Sequence, residues 1–182
     1  MVFQKKFLVV LLLLWIVLAA AIPAADGQEN KFNEYEVKAA FIYNLAKFIE
    51  WPDKSMDRKS TLTIYILGNA PFGSALDAIR GKTIKEKAIV VKKTDSLNIL
   101  KNGDILFISN SEKERLDQIL NEISRLPILT IGDTESFAEN GVIVNFYIED
   151  KKVRFEINIE AAKRAGLRVS SNLLKLARII SP

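Results

Sequence analysis

Short apolar runs alternate with amphipathic stretches along the chain, which is typical of an α/β protein. Strands are predicted at residues 62–67, 87–91, 104–108 and 128–131, and helices at 72–80, 111–125 and 133–140. The helix at 111–125 is the clearest, because Ser111 and Glu114 form a capping box before a regular apolar stripe. Repeated succession of strand and helix predicts right-handed crossovers and a mainly parallel sheet.

The first helix is predicted from Tyr35 to Trp51, after a polar arm at 28–34 and before Pro52. Its apolar face is formed by Val37, Phe41, Asn44, Phe48 and Trp51, with Tyr43 on the opposite face. A buried amide needs hydrogen-bond partners, so Asn44 is expected to bond main chain or, alternatively, a ligand. Ile42, Ala46 and Ile49 widen the apolar arc, which predicts cover on more than one side.

The pattern changes after residue 141. Two strands at 142–148 and 153–159 are separated by a polar turn at 149–152, which predicts an antiparallel hairpin. A helical turn is predicted at 160–165, and Ser170 with Ser171 is expected to cap a last helix. The buried stripe of that helix is predicted at Leu173, Leu176, Ala177 and Ile180. The expected fold is a three-layer α/β domain over residues 28–182, with a mainly parallel sheet flanked by helices and an appended antiparallel C-terminal hairpin.

The N-terminus has the order of a secretory signal peptide. Two lysines precede an unbroken apolar run at 7–18, and small residues follow. Cleavage is expected after Ala21 or after Gly27, which predicts a periplasmic chain with no stable membrane insertion after cleavage. The alternative is a retained anchor at residues 7–25, against which Pro23 argues.

Composition excludes several kinds of catalysis. The chain contains no His and no Cys, which excludes an imidazole base, a thiol nucleophile and His- or Cys-ligated metals. No catalytic residue, metal site or cofactor is predicted. The first 27 residues hold two lysines and one aspartate, so removing them changes the net charge only from +4 to +3. So small an excess gives no indication of a nucleic-acid partner.

Small polar residues follow three of the predicted parallel strands. Ligands of open parallel sheets collect beyond the carboxyl ends of the strands, which makes Asn69, Ser109 and Asp133 candidate pocket residues. The alternative is structural: Ser111 and Asp133 cap the helices that follow them.

Contact residues for a protein partner are harder to single out. Trp51 and Pro52 are candidates for a hydrophobic anchor that contacts the partner at the surface. The alternative for Trp51 is a place in the core at the end of the helix. Arg154 and Glu156 lie two residues apart and therefore share one face of a hairpin strand. They form either a catalytic pair or a pair of charges exposed to solvent. Arg168 is the remaining candidate for contact.

Three stretches together resemble the YfiR-like family of exported bacterial proteins. They are VKAAFIYNLAKFIEWP at 37–52, ILFIS at 105–109 with Glu112, and RFEIN at 154–158 running into Ala161-Ala162, Ala165-Gly166-Leu167 and SSNLLKLA at 170–177. The motif residues include Tyr43, Asn44, Asn158, Ser170 and Ser171. The resemblance extends over nearly all of residues 35–180.

The resemblance implies a periplasmic α/β protein that is commonly a homodimer and has no catalytic activity. It further implies a partner, an inner-membrane diguanylate cyclase whose restraint lowers cyclic di-GMP and biofilm formation. Many relatives carry a cysteine before the strand that is 105–108 here, where this chain has Gly103-Asp104. Control by a disulfide is therefore excluded, and the alternative that follows from this departure is a different partner. The rival hypothesis is a periplasmic small-ligand-binding module that signals to a membrane receptor or sensor kinase.

Overall fold

The computed structural model describes residues 26–52 and 60–180, with side chains described from residue 34 onward. The chain divides into two compact units, residues 1–31 and 32–182. Of the first unit, the described part is residues 26–31, which are helical. The predicted signal peptide lies outside the described residues except for Asp26 and Gly27. The second unit contains the sheet and its helices.

The described residues include ten strands and four α-helices. The strands are β1 (Ile49–Glu50), β2 (Thr61–Leu67), β3 (Thr83–Ile84), β4 (Lys87–Thr94), β5 (Ile105–Ile108), β6 (Leu129–Gly132), β7 (Val144–Glu149), β8 (Lys152–Asn158), β9 (Arg168–Val169) and β10 (Arg178–Ile180). The helices are α1 (Asp26–Lys47), α2 (Leu116–Glu122), α3 (Ile159–Arg164) and α4 (Ser171–Leu174). Three 3-10 helices lie at Ala75–Ala78, Leu100–Asn102 and Asn110–Arg115.

Eight of the strands form one mixed sheet in the order β10-β8-β7-β6-β5-β2-β4-β3. Strands β4, β2, β5, β6 and β7 are parallel neighbours, which is the doubly wound order 2-1-3-4-5. Strands β1 and β9 form a separate antiparallel pair. The predicted α/β class with a mainly parallel sheet is therefore confirmed.

The appended hairpin is β7 and β8, joined by Asp150 and Lys151. Both turn residues have positive φ, 49° and 59°, as a two-residue turn that matches strand twist requires. β6 ends beside Asn145, so the rest of β7 extends past the end of its parallel neighbour. β10 then lies parallel to β8 as a three-residue edge strand.

Successive side chains of the strands point to opposite faces of the sheet, and they contribute to two separate hydrophobic cores. Ile64, Ile66 and Phe107 belong to the core that α1 covers. Tyr65, Leu67 and Ile108 belong to the second core, with Leu116 and Ile119 of α2. The result is three layers, with α1 on one face and α2 on the other.

The buried face of α1 differs from the prediction. Ala39, Ile42, Leu45 and Ala46 are 0–2% exposed and pack on the sheet. Asn44 is exposed instead of buried, and its Oδ1 accepts a hydrogen bond from Lys47 Nζ at 3.1 Å. The residues widening the apolar arc are therefore those that meet the core. The helix ends at Lys47, before β1, and residues 28–34 are helical rather than a loose arm.

Three other local predictions are wrong. Ser111 caps no helix, because a 3-10 segment precedes α2 and the Ser111 hydroxyl bonds other side chains. Residues 133–140 form turns and no helix, so Asp133 is not a cap. The last helix ends at Leu174, and the chain continues into β10 with Leu176 74% exposed.

Candidate functional site

The carboxyl ends of β2 and β5 meet where the strand order reverses, the usual ligand site of such sheets. Here the residues that follow the two strands are joined to each other by hydrogen bonds, and we call this place the β2–β5 junction. The Ser109 and Ser111 hydroxyl oxygens are 2.8 Å apart, and the Asn69 amide donates to Ser111 Oγ at 2.9 Å. The Ser111 hydroxyl donates to Glu112 Oε1 at 3.2 Å, and the Glu112 carboxylate accepts hydrogen bonds from the Arg115 guanidinium.

Gly68 shows how tightly this junction is packed. A Cβ placed on Gly68 would lie 2.3 Å from Ser111 Oγ, 2.5 Å from Glu112 Oε1 and 2.6 Å from Ser109 Oγ. These oxygens occupy the space in which a bound molecule would sit. Of the predicted pocket residues, Ser109 is only 2% exposed and fills this space, whereas Asn69 is exposed and contributes its backbone amide.

Asp133, the third predicted pocket residue, anchors α1 to the end of β6. Its Oδ2 accepts hydrogen bonds from Tyr35 Oη at 2.8 Å and from Lys38 Nζ at 2.6 Å. Lys38, which is 4% exposed, also pairs with Glu34 Oε1 at 2.5 Å. Burial, followed by the charge of Asp133, raises the pKa of Tyr35 well above its ordinary value, so its hydroxyl remains a donor. The cluster fixes a helix, and two donors on α1 already bind Oδ2 of Asp133.

A second polar network lies across β7, β8 and β10. Glu156 is 2% exposed and accepts hydrogen bonds from Asn145 Nδ2 at 2.9 Å and from the Arg178 guanidinium, with Nε at 2.9 Å. The hydrogen bond to Glu156 raises the pKa of Arg178 above its ordinary value. The guanidinium carbon is 4.2 Å from the centre of the Tyr147 ring. Glu156 thus binds the last strand to the hairpin and is not paired with Arg154.

The predicted contact residues are placed differently from one another. Trp51 is 5% exposed, and its Nε1 donates to the carbonyl of Asp104 at 3.3 Å, so it is a core residue and no surface anchor. Pro52 is exposed. Arg154 is exposed, with its Nε 3.8 Å from Glu149 Oε2. The Arg168 side chain is 84% exposed and pairs with Glu50 at 2.7 Å.

The remaining motif residues are structural. Asn158 Oδ1 accepts from the Ala161 amide at 2.8 Å to cap α3, and its Nδ2 donates to the Ala138 carbonyl at 2.7 Å. Ser170 caps α4 by accepting from the Asn172 amide, and Ser171 is the first residue of that helix. Tyr43 is half-buried with Lys47 Nζ 3.9 Å from its ring centre.

An apolar surface lies where α1 crosses the hairpin. The Phe41 ring centre is 5.9 Å from that of Phe146 and 5.7 Å from that of Phe155. Side chains alternate along a strand, so Ile148 and Val153, which are register partners, share the face of Phe146 and Phe155. Val37 lies one turn before Phe41 on the helix.

We call the residues Val37, Phe41, Ile148 and Val153 the α1–hairpin surface. Ile148 is 52% exposed and Val37 is 37% exposed, while Phe41 and Val153 are half-buried. The sequence had placed Val37 and Phe41 on the buried side of the helix. The strict alternation of 153–157 was the signal that would have placed Val153 beside them.

Within residues 26–52 and 60–180, no three acidic side chains lie where they would hold a metal ion. Over the same ranges, no helix has both the length and the apolar character needed to cross a bilayer. The buried acids Glu112 and Glu156, and Asp133, are each bound by a cation.

Comparison with known proteins agrees with this architecture. A family model described as YfiR/HmsC-like matches residues 35–178. A conserved domain protein from Vibrio cholerae O1 biovar El Tor has 10% sequence identity, a TM-score of 0.51, and a match over 81% of this chain and 60% of that one. An ABC domain from Streptococcus pneumoniae, solved in complex with L-Trp, has 11% identity, a TM-score of 0.53 and the same coverage. The chain thus matches about 60% of each structure, and at such identities the likeness concerns the fold alone.

Proposed function

The chain belongs to the YfiR/HmsC-like family, known for periplasmic regulators, and from that premise we propose that it restrains an inner-membrane diguanylate cyclase by protein contact. In this proposal residues 1–27 are an export signal, removed after Ala21 or Gly27, and the remaining chain works in the periplasm without catalysis. Binding to the periplasmic part of the cyclase lowers cyclic di-GMP and so disfavours biofilm formation.

The α1–hairpin surface carries the proposal. Its side chains are aliphatic and aromatic, the type that forms the centre of protein interfaces. The charged residues Glu149 and Arg154 alternate with Ile148 and Val153, so they lie on the opposite face of the hairpin and leave this surface apolar. Asp133 and Lys38 hold α1 against the strand ends, which gives the surface a fixed shape before binding.

The mechanism is a difference in affinity. A protein outside the cytoplasm never reaches the cyclase active site, so it acts by binding the inactive state more tightly than the active one. A tenfold bias requires about 1.4 kcal/mol of differential binding. Complete burial of a fully exposed Ile side chain contributes about 1.5–3 kcal/mol, so Ile148, which is 52% exposed, supplies about 0.8–1.5 kcal/mol if only the inactive state buries it, and Val37 adds to this.

Deletion of the gene is expected to raise cellular cyclic di-GMP, and Ile148→Glu is expected to reproduce most of that rise. The substitution places a charge on the α1–hairpin surface, where burial against a partner is unfavourable. Ile148 is 52% exposed, so the melting temperature and the abundance of the exported protein are expected to stay near those of the wild type. Cyclic di-GMP is measured by mass spectrometry in cell extracts.

The matched control for this experiment is Ile99→Glu. Ile99 is an exposed isoleucine, 37% accessible, on the loop before β5 and remote in sequence from α1 and the hairpin. It is expected to leave cyclic di-GMP unchanged. Unchanged cyclic di-GMP on deletion contradicts the regulator proposal, and an equal effect of both substitutions contradicts the assignment of the surface.

We expect a two-fold homodimer, with twice the mass of one chain by light scattering at micromolar concentration. Among the described strands, β10 pairs with β8 on one side only, and Leu176 before β10 and Ile179 within it are 74% and 41% exposed. An open edge with exposed apolar residues favours pairing with a second copy, and two-fold dimers are the commonest closed assembly. A single-chain mass contradicts this prediction. Ile148→Glu is expected to remain a dimer, since a monomeric variant would assign the α1–hairpin surface to the second copy.

A further inference from the structure

A cavity of about 220 Å³ lies between α2 and α3, and its lining includes no residue of the α1–hairpin surface and none of Asn69, Ser109 and Asp133. Leu120 of α2 and Ile123, the residue that follows this helix, line one side, and Ala161 and Arg164 of α3 line the other. Ile123 belongs to one hydrophobic core and Ala161 to the other. The cavity therefore lies at the seam where the two cores meet and neither helix covers the sheet.

The floor of the cavity is apolar. Its lining side chains include Leu120, Ile123, Leu126, Ile128, Ile143, Ala161 and Ala165. The hydroxyl of Thr130 also lines the floor, but its oxygen already accepts a hydrogen bond from the Ile143 amide at 2.8 Å. Asn121, Ser124 and Asn140 contribute polar groups, and no acidic residue lines the cavity.

Arg164 is the one cation of this lining. Its Nη2 is 3.9 Å from the position that a Cβ on Gly141 would take, which places the guanidinium across the cavity. Glu160, the acid one turn earlier on α3, pairs with Lys163 at 2.8 Å instead. Across residues 26–52 and 60–180, no carboxylate forms an ion pair with Arg164. The exposed guanidinium beside the cavity therefore contacts no carboxylate within those ranges, and the charge of Glu160 acts on it only from one turn away.

We propose that this cavity binds a small molecule made of an apolar body and a single carboxylate. The apolar floor takes the body, and the guanidinium of Arg164 takes the carboxylate by charge-assisted hydrogen bonds. The volume suits this size, because a closed apolar cavity of about 150 Å³ accommodates benzene. An aromatic ring with one short acidic arm therefore fits.

The lining also discriminates among related ligands. A free amino acid brings an ammonium group, and no carboxylate lines the cavity to receive it. Inorganic phosphate has no apolar body and would leave the floor uncovered. An uncharged amide of the same shape fills the floor but lacks the charge for Arg164.

Titration calorimetry with phenylacetate and phenylacetamide tests the proposal on the purified protein. A ligand of about ten heavy atoms is expected to bind with a Kd on the order of 0.1–1 mM. Wild type is expected to bind the acid about tenfold more tightly than the amide. Arg164→Gln is expected to weaken binding of the acid about tenfold and to leave that of the amide unchanged.

Two further variants make the result specific. Arg154→Gln, which removes an exposed arginine on the hairpin, is expected to leave both affinities unchanged. Ala165→Leu fills part of the cavity from its half-buried edge and is expected to weaken acid and amide alike. Equal affinities of wild type for the two probes, no binding at millimolar concentration, or equal losses in Arg164→Gln and Arg154→Gln would each overturn the proposal.

Discussion

Lys38→Met is expected to lower the free energy of unfolding by about 3–5 kcal/mol, the loss typical of one partner removed from a buried ion pair. Lys38 is 4% exposed, and its Nζ lies 2.6 Å from Asp133 Oδ2 and 2.5 Å from Glu34 Oε1. Methionine keeps the length of the side chain and removes its charge. The Asp133 carboxylate then keeps only the Tyr35 hydroxyl and faces Glu34 without a cation between them. Urea unfolding followed by circular dichroism measures the loss.

Lys47→Met is the matched control, on the same helix. Lys47 is exposed and contacts Asn44 Oδ1 and the Tyr43 ring, so its loss is expected to cost less than about 1 kcal/mol. Adding Asp133→Asn to Lys38→Met removes the unpaired charge and is expected to restore part of the stability. Similar losses for the two methionine variants, or further destabilisation in the double variant, would contradict a stabilising role for the Lys38–Asp133 pair.

The sheet was predictable because its signals are local. Each central strand is a short run that is apolar on both faces, and β5 is buried at all four positions. The hairpin was predictable from alternation on either side of a polar turn, although the turn is two residues rather than four. In both cases the residues that decide the structure lie within a few positions of each other.

The faces of α1 were not predictable, because the helix is apolar on two sides. One side, with Ile42 and Ala46, packs on the sheet, and the other carries Val37 and Phe41 onto the hairpin. Spacing alone gives two acceptable stripes, and the choice depends on a sheet that lies later in the chain. Asn44 was placed on the wrong side for this reason.

The polar clusters and the last strand depend on long-range contacts. Lys38 and Asp133 are 95 residues apart in the sequence, and Arg178 and Glu156 are 22 residues apart. No local sequence pattern therefore predicts either pair. The apolar residues at 173–180 fit a helical stripe equally well. The pairing of Arg178 with buried Glu156 favours a strand there, and it leaves Leu176 exposed.

Gly68→Ala is expected to lower the free energy of unfolding by about 2–5 kcal/mol. Gly68 has a φ of 77°, where a side chain costs about 1–2 kcal/mol. The new methyl group would also lie within 2.6 Å of three oxygens, those of Ser109, Ser111 and Glu112. Crowding in a packed region adds about 1–3 kcal/mol. Ser109 is buried and has little room to move, so the junction between β2 and β5 is expected to open.

Gly81→Ala separates the two contributions. Gly81 has nearly the same backbone, with a φ of 75°, but no atom lies within 4 Å of the position of its Cβ. It is therefore expected to lose only the conformational part, about 1–2 kcal/mol. The difference between the two variants measures how closely the serines and Glu112 fill the end of the sheet. If both variants lose the same stability, the junction has space to yield, and the strand ends again become a candidate ligand site.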